Sequence, residues 1–183
     1  RGFLDADFEI PINTGTIVFS HCLEHVYSLA EIILLLTTKL PLSGKVVISW
    51  PMIEKWLSTG VPGALNWEHT FYCPISTLKQ LFKSYGFSLV EEQYFGEHHS
   101  VFIIFEYEGT RSSSKLFKAD VEKNRKEVIN YFRYFDRQVL QLKQILKDAP
   151  MPIFMMPASV YSQYLYAFGI KECKLKGLLD NDS

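Results

Sequence analysis

The chain has 183 residues, with 19 Lys+Arg against 20 Asp+Glu, 48% hydrophobic and 15% aromatic residues. That is enough apolar content to bury a core and too much for a disordered or fibrous chain. A net charge of −1 and a pI of about 6.6 supply no general field for nucleic acid or anionic lipid, so neither is an expected partner. Apolar runs such as Ile32–Leu36 fall far short of the roughly 18 residues of a spanning helix, and no membrane association is expected.

Read by period and punctuation, the chain opens on a short strand at Gly2–Phe8 and a buried one at Thr16–Ser20, where Thr-Ile-Val-Phe is β-rich. The start has neither a basic nor an apolar region of a signal peptide and no initiating Met, so a fragment or processed product is expected. An amphipathic helix follows from about Ser28 to Leu40, with Ser28 and Glu31 spaced as a capping box. Pro41-Leu42-Ser43-Gly44 ends it, and Lys45–Trp50 is a second buried strand stopped by Pro51. Strand, helix and strand at these loop lengths predict a parallel crossover.

Met52–Cys73 reads as a loop-rich stretch, with Trp56, Trp67, Phe71 and Tyr72 placed to form an apolar lid. Pro74 opens a helix over Ile75–Tyr85 and Gly86 closes it. Phe87–Phe95 and Ser100–Tyr107 then read as an antiparallel pair at a sheet edge, joined through Gly96-Glu97-His98-His99. After a linker at Arg111–Ser114, Lys115–Lys147 is one long helix, with Val121, Val128, Phe132, Phe135, Val139, Leu142 and Leu146 spaced mostly by threes and fours. A helix of that length, about 50 Å, predicts packing along another domain or a second subunit, a homodimer brace. Pro152–Met156, Ser159–Phe168 and Lys174–Leu179 form a second strand–helix–strand unit. The expected domains are residues 1–110, a linker and long helix at 111–150, and the start of another α/β domain at 151–183. Cys22, Cys73 and Cys173 are odd in number and have no C-x-x-C spacing, which predicts free thiols and a cytoplasmic location.

His21-Cys22-Leu23-Glu24-His25 is an H-x-x-E-H pattern, similar to a metalloprotease signature in which two His one helical turn apart hold zinc. That chemistry needs the motif in mid-helix and a third carboxylate on another helix. Here the motif abuts a strand, and the nearest suitable carboxylate, Glu97, lies in a hairpin loop, so no metal site is assigned. The plain reading leaves His21 and His25 as turn and helix-face residues bonded to backbone.

A wider pattern accounts for more residues. Val18-Phe19-Ser20-His21-Cys22-Leu23-Glu24-His25-Val26 resembles the S-H-V-L-E-H-V end of strand four in class I S-adenosylmethionine-dependent methyltransferases. Asp5-Ala6-Asp7-Phe8-Glu9-Ile10-Pro11 is similar to that family's acidic D-A-x-x-x-P segment after strand three, and Leu42-Ser43-Gly44 keeps one Gly of its L-x-P-G-G turn before strand five. Asn66-Trp67-Glu68-His69-Thr70-Phe71-Tyr72 resembles the H-E-H-x-x-Y/F segment of the sugar C-methyltransferase branch, and Glu97-His98-His99-Ser100-Val101 its His-rich turn before the last strand. Tyr131–Phe135 and the strand–helix–strand after it look like the opening of that branch's C-terminal domain.

The resemblance implies a partial Rossmann-like α/β sheet, then a long helix and a second, incomplete Rossmann-like strand–helix–strand unit. It also implies S-adenosylmethionine as cofactor and a nucleotide-linked keto-sugar or similar small molecule as substrate. By resemblance, Asp5, Asp7, Ser20 and His21 are cofactor-binding candidates, His69 is the candidate base with Glu68 orienting it or binding a sugar hydroxyl, and Tyr72, His98 and His99 face the substrate. The family's G-x-G-x-G loop and its four-Cys zinc module are not found in these 183 residues, so the chain is expected to be the middle of a longer enzyme. Two other readings compete: a non-catalytic α/β domain that keeps the fold for binding or assembly, and a zinc hydrolase.

Overall fold

A computed structural model describes residues 9–11, 13–66, 68–96, 99–110 and 121–180. The predicted strand at Gly2–Phe8 and the site candidates Asp5, Asp7 and His98 lie outside the described residues, as does Trp67. The chain forms two compact units: unit 1 takes residues 1–55 and 67–119, and unit 2 takes 56–66 and 120–183.

Unit 1 is built on a four-stranded sheet in the order β1-β2-β4-β3, with β1 at Thr16–Ser20, β2 at Lys45–Pro51, β3 at Phe87–Phe95 and β4 at Ser100–Tyr107. β1 and β2 are parallel, in register from Thr16 opposite Lys45 to Ser20 opposite Ser49. They are joined over α1, Leu29–Lys39, which buries Leu29, Ile32, Ile33 and Leu36 at the i, i+3, i+4, i+7 spacing of one helical stripe. This is the predicted crossover. β2, buried along most of its length, reads as a continuous apolar run because β1 and β4 flank it. β4 runs antiparallel to both β2 and β3, so the hairpin closes one edge of the sheet and Ser100 stands opposite Pro51. The result is the partial Rossmann-like α/β sheet that the resemblance implies. At its other edge β1 has no second strand neighbour among the described residues, and Val18 is 65% exposed.

Three local expectations change. Ser28 is the N-cap of α1, but its side chain makes no capping bond, so the capping box is not formed. Met52–Cys73 is not wholly loop: α2 occupies Ile53–Thr59. Its Glu54 carboxylate accepts the Ile75 N–H at 2.9 Å and so caps α3, Ile75–Ser84, where Pro74 has no side-chain oxygen to do it. Phe71 packs against the core of unit 1 instead of forming a lid. Two glycines are needed where they stand. A Cβ on Gly44 would sit 2.8 Å from the Pro41 carbonyl oxygen, and Gly86, which ends α3, has φ +90.

The core of unit 1 centres on Phe82, which stacks on Phe105 with centroids 4.3 Å apart and meets Phe87 edge-on at 5.4 Å. Leu78, Ile33, Leu36, Val46, Ile48 and Trp50 are among the residues buried with it. The Trp50 indole N–H donates to the Cys73 carbonyl at 3.0 Å, satisfying a polar atom that burial would otherwise penalise.

In unit 2 the long helix α4 is described over Val121–Lys147, 27 residues and about 40 Å. Its buried stripe is Tyr131, Phe135 and Val139, whereas Val121 and Phe132, counted in the predicted stripe, are 70% and 40% exposed. The stripe finds its cover inside the unit. Phe135 contacts the rings of Tyr161, Tyr164 and Phe168, and the Tyr131 hydroxyl donates to the Val61 carbonyl at 3.0 Å. The second strand–helix–strand is present as β5 (Ile153–Met155), α5 (Val160–Ala167) and β6 (Leu175–Leu178), with β5 and β6 parallel. Among the described residues no helix is long and apolar enough to cross a membrane.

Truncating Phe82 to Ala should cost about 3–5 kcal/mol, whereas Tyr27→Ala, at a position 96% exposed, should stay within about 0.5 kcal/mol. Urea unfolding followed by circular dichroism measures both. Burial, then the charge of Glu54, pushes the Cys73 thiol up to about 12. At pH 8 an alkylating reagent should therefore leave Cys73 unmodified in the native chain and label it after denaturation, as read by mass spectrometry.

Candidate functional site

At the carboxyl end of β1 the chain turns sharply. His21 follows the last strand residue, Ser20, with φ +45, a left-handed conformation uncommon for a residue with a Cβ. The next residues form a 3-10 turn, Leu23–His25, in which Leu23 and Glu24 are each only 1% exposed. Leu23 belongs in the core. A buried Glu needs partners.

Those partners form a chain of side-chain hydrogen bonds. Glu24 Oε1 lies 3.1 Å from His21 Nδ1, His21 Nε2 lies 2.9 Å from Ser100 Oγ, and Ser100 Oγ lies 2.7 Å from His99 Nδ1. A carboxylate can only accept, so the Nδ1–H of a neutral His21 donates to Glu24 and its Nε2 accepts the Ser100 hydroxyl proton. The Ser100 oxygen then accepts the His99 Nδ1–H. Ser100 is buried, and His99 is exposed at the far end. Both ring nitrogens of His21 are therefore taken by protein partners. The second Glu24 oxygen, Oε2, is buried without a hydrogen-bond partner.

The Glu24 backbone carries a second set of contacts. Its carbonyl accepts the N–H groups of Thr70 at 3.0 Å and Phe71 at 3.1 Å, and the Thr70 hydroxyl donates to the Val26 carbonyl at 2.7 Å. These bonds fasten the 68–72 segment to the turn after β1. His25 Nδ1–H donates to the Glu68 carbonyl at 2.9 Å, and the His25 and His69 rings meet edge-on with centroids 4.9 Å apart. The Tyr72 ring lies 5.8 Å from that of His69. Burial holds the His69 pKa below the usual imidazole value. Glu24 and Glu68 pull upward and His25 and His21 downward, and the net direction is down.

Of the sequence candidates, Ser20, His21, Glu68, His69, Tyr72 and His99 are described, and the bonds above tie His21 to His99 and the 68–72 segment to the same turn. Glu68 is exposed and contributes its carbonyl to His25. Sequence reasoning gave Ser100 no role and weighed Glu24 and His25 only within the H-x-x-E-H pattern, apart from the plain reading of His25 as bonded to backbone, which its 2.9 Å bond to the Glu68 carbonyl matches. The signal for Glu24 was its position three residues after His21, but Ser100 is 79 residues away from its His21 partner, with nothing local to announce it. A concavity of about 390 Å³ lined by Lys79, Lys83, Phe87 and Glu108 lies where β3 begins and β4 ends, the opposite end of the sheet from these histidines, and it contains none of them.

No family model matches the chain, and neither does any curated protein. Solved structures with a similar arrangement include TnmH, at 12% identity and TM-score 0.47, over 59% of this chain and 34% of that one. An O-methyltransferase family protein from Burkholderia thailandensis is similar at 16% identity and TM-score 0.46, over 61% of this chain and 35% of its own. Magnesium protoporphyrin IX methyltransferase (ChlM) from Synechocystis PCC 6803, solved with bound SAH, is similar at 11% identity and TM-score 0.42, over 56% and 48%. The chain thus spans between 34% and 48% of the length of these three structures.

Replacing Ser100 by Ala removes the hydroxyl shared by two imidazoles and takes a partner from the half-buried His21 ring. The expected loss is about 1–3 kcal/mol in urea unfolding, and the ring protons of His21 and His99 should both shift in NMR spectra.

Proposed function

We propose that the chain serves in S-adenosylmethionine-dependent methyl transfer to a carbon next to a carbonyl, on a nucleotide-linked keto-sugar or a similar small molecule. The observation that carries this reading is the backbone fastening of the His69 segment to the turn directly after β1. Ligands of open α/β sheets bind outside the carboxyl ends of the parallel strands, and that is where His21, His25, His69 and His99 gather.

The described residues fit one side of a cofactor site. Ser20 is exposed at the strand end, and the left-handed corner at His21 turns the chain away from the sheet there. Since the His21 ring is committed to Glu24 and Ser100, Ser20 and the His21 backbone are the groups that would line the cofactor. When bound, that cofactor supplies an electrophilic methyl group on a sulfonium that departs as a neutral thioether.

The protein's own task is then to bring out the nucleophile. His69, kept neutral at pH 7 by its lowered pKa, takes the proton from the carbon beside the substrate carbonyl. The C–H electron pair becomes the enolate that forms the new C–C bond. His25, edge-on to His69, limits how that ring turns, and Tyr72 offers a hydroxyl for the carbonyl or a sugar oxygen.

Calorimetric titration of S-adenosylhomocysteine into the product of the complete reading frame should show binding. Deuterium wash-in beside the carbonyl of a keto-sugar nucleotide should fall by about 10²–10⁴-fold in His69→Asn. No binding, or exchange that survives the substitution, ends this reading.

A further inference from the structure

The feature the methyl-transfer reading leaves unused is Glu24 Oε2, a carboxylate oxygen inside the protein with no hydrogen-bond partner. Leaving such an oxygen unpaired is costly, and most buried polar atoms in folded proteins have a partner. One donor atom from each of Glu24, His25 and His69 lies within 4.8 Å of the other two. We propose that these three side chains form a binding site for a divalent transition-metal ion of the zinc class.

The surroundings of each ligand support this. His25 has its Nδ1–H on the Glu68 carbonyl at 2.9 Å, leaving Nε2 as the lone pair to ligate, and a metal-binding imidazole commonly has its other nitrogen held by such an acceptor. Glu24 has Oε1 bonded to His21 Nδ1 at 3.1 Å, which orients the carboxylate and leaves Oε2 for the ion. Two imidazoles and one carboxylate are a ligand set used by zinc and other first-row metals, with open positions for water or substrate. Zinc bonds of about 2.0–2.2 Å put tetrahedral ligands roughly 3.3–3.5 Å apart. The three donors must therefore draw together, by small movements of the His25 and His69 rings toward Glu24 that keep the His25 Nδ1–H on the Glu68 carbonyl.

The ligand set differs from the H-x-x-E-H pattern of the sequence, in which His21 and His25 would both bind. Here His21 orients the carboxylate, and His69 replaces it from a segment 44 positions beyond His25 (69 − 25 = 44). The proposal stands on these side chains and not on methyl transfer. Its failure would leave the proposed role of His69 as a base untouched, and its success means that a bound ion occupies the lone pair a base needs.

The test is zinc titration of the untagged chain by calorimetry, with Co²⁺ substitution read by absorption spectroscopy. One equivalent should bind, the cobalt spectrum should lack a thiolate charge-transfer band, and His25→Ala, His69→Ala and isosteric Glu24→Gln should each weaken binding by at least about tenfold. Cys22→Ser and Cys173→Ser should bind as the parent does, and circular dichroism confirms that each variant is folded. The proposal is overturned if the parent chain binds no zinc, if folded His25→Ala and His69→Ala bind as tightly as the parent, or if the cysteine variants are the ones that lose the ion.

Discussion

The constraint on which the rest depends is the left-handed corner at His21. A residue with a Cβ held at φ +45 costs about 1–3 kcal/mol, and the two ring bonds to Glu24 and Ser100 offset it. Because the corner holds, the chain leaves β1 as a 3-10 turn instead of running on, which sinks Leu23 into the core and directs the Glu24 carbonyl toward Thr70 and Phe71. Those backbone bonds decide where His69 stands. The site is therefore a consequence of how one strand ends, transmitted through a single buried glutamate whose side chain holds His21 and whose carbonyl holds Thr70 and Phe71.

The fold was legible wherever burial and period agreed. Thr16–Ser20, Lys45–Trp50 and the Leu29–Leu36 stripe announce themselves because a buried parallel strand is a short apolar run and its crossover helix a 3.6-residue repeat. α2 was missed because a helix of seven residues, Ile53–Thr59, is too short to show a period, and its role, lending Glu54 to cap α3, is a long-range effect. The expected stripe of α4 holds at Phe135 and Val139 and fails one turn earlier, with Tyr131 inside and Phe132 half outside. Tyr131 could be buried because its hydroxyl finds the Val61 carbonyl, a partner that helical spacing does not foresee. The histidines of the site were visible as a motif, but what joins them, Ser100 and the inner oxygen of Glu24, depends on strands meeting in space.

The proposed proton removal and the proposed metal binding would draw on the same lone pair of His69. Glu24 lies close enough to influence His69, and His25 is close enough to counter it. Burial outweighs the upward pull of Glu24 and Glu68, so His69 is held toward the neutral imidazole, the form both proposed chemistries require. Glu68 holds His25 through its backbone carbonyl and acts on His69 through its charge.

The two edges of the sheet in unit 1 are unlike. β3 is interrupted by a bulge between Leu89 and Glu91, and its Glu92 pairs with Lys79, so irregular geometry and charge discourage another strand from adding there. β1 is short and regular, has no charged side chain, and has no second neighbour among the described residues. Among the described residues, β1 is therefore the edge better suited to accept another strand. Any strand that joins it, from elsewhere in a chain or from another molecule, arrives beside Ser20 and the corner at His21, so strand addition and ligand access are settled at the same place.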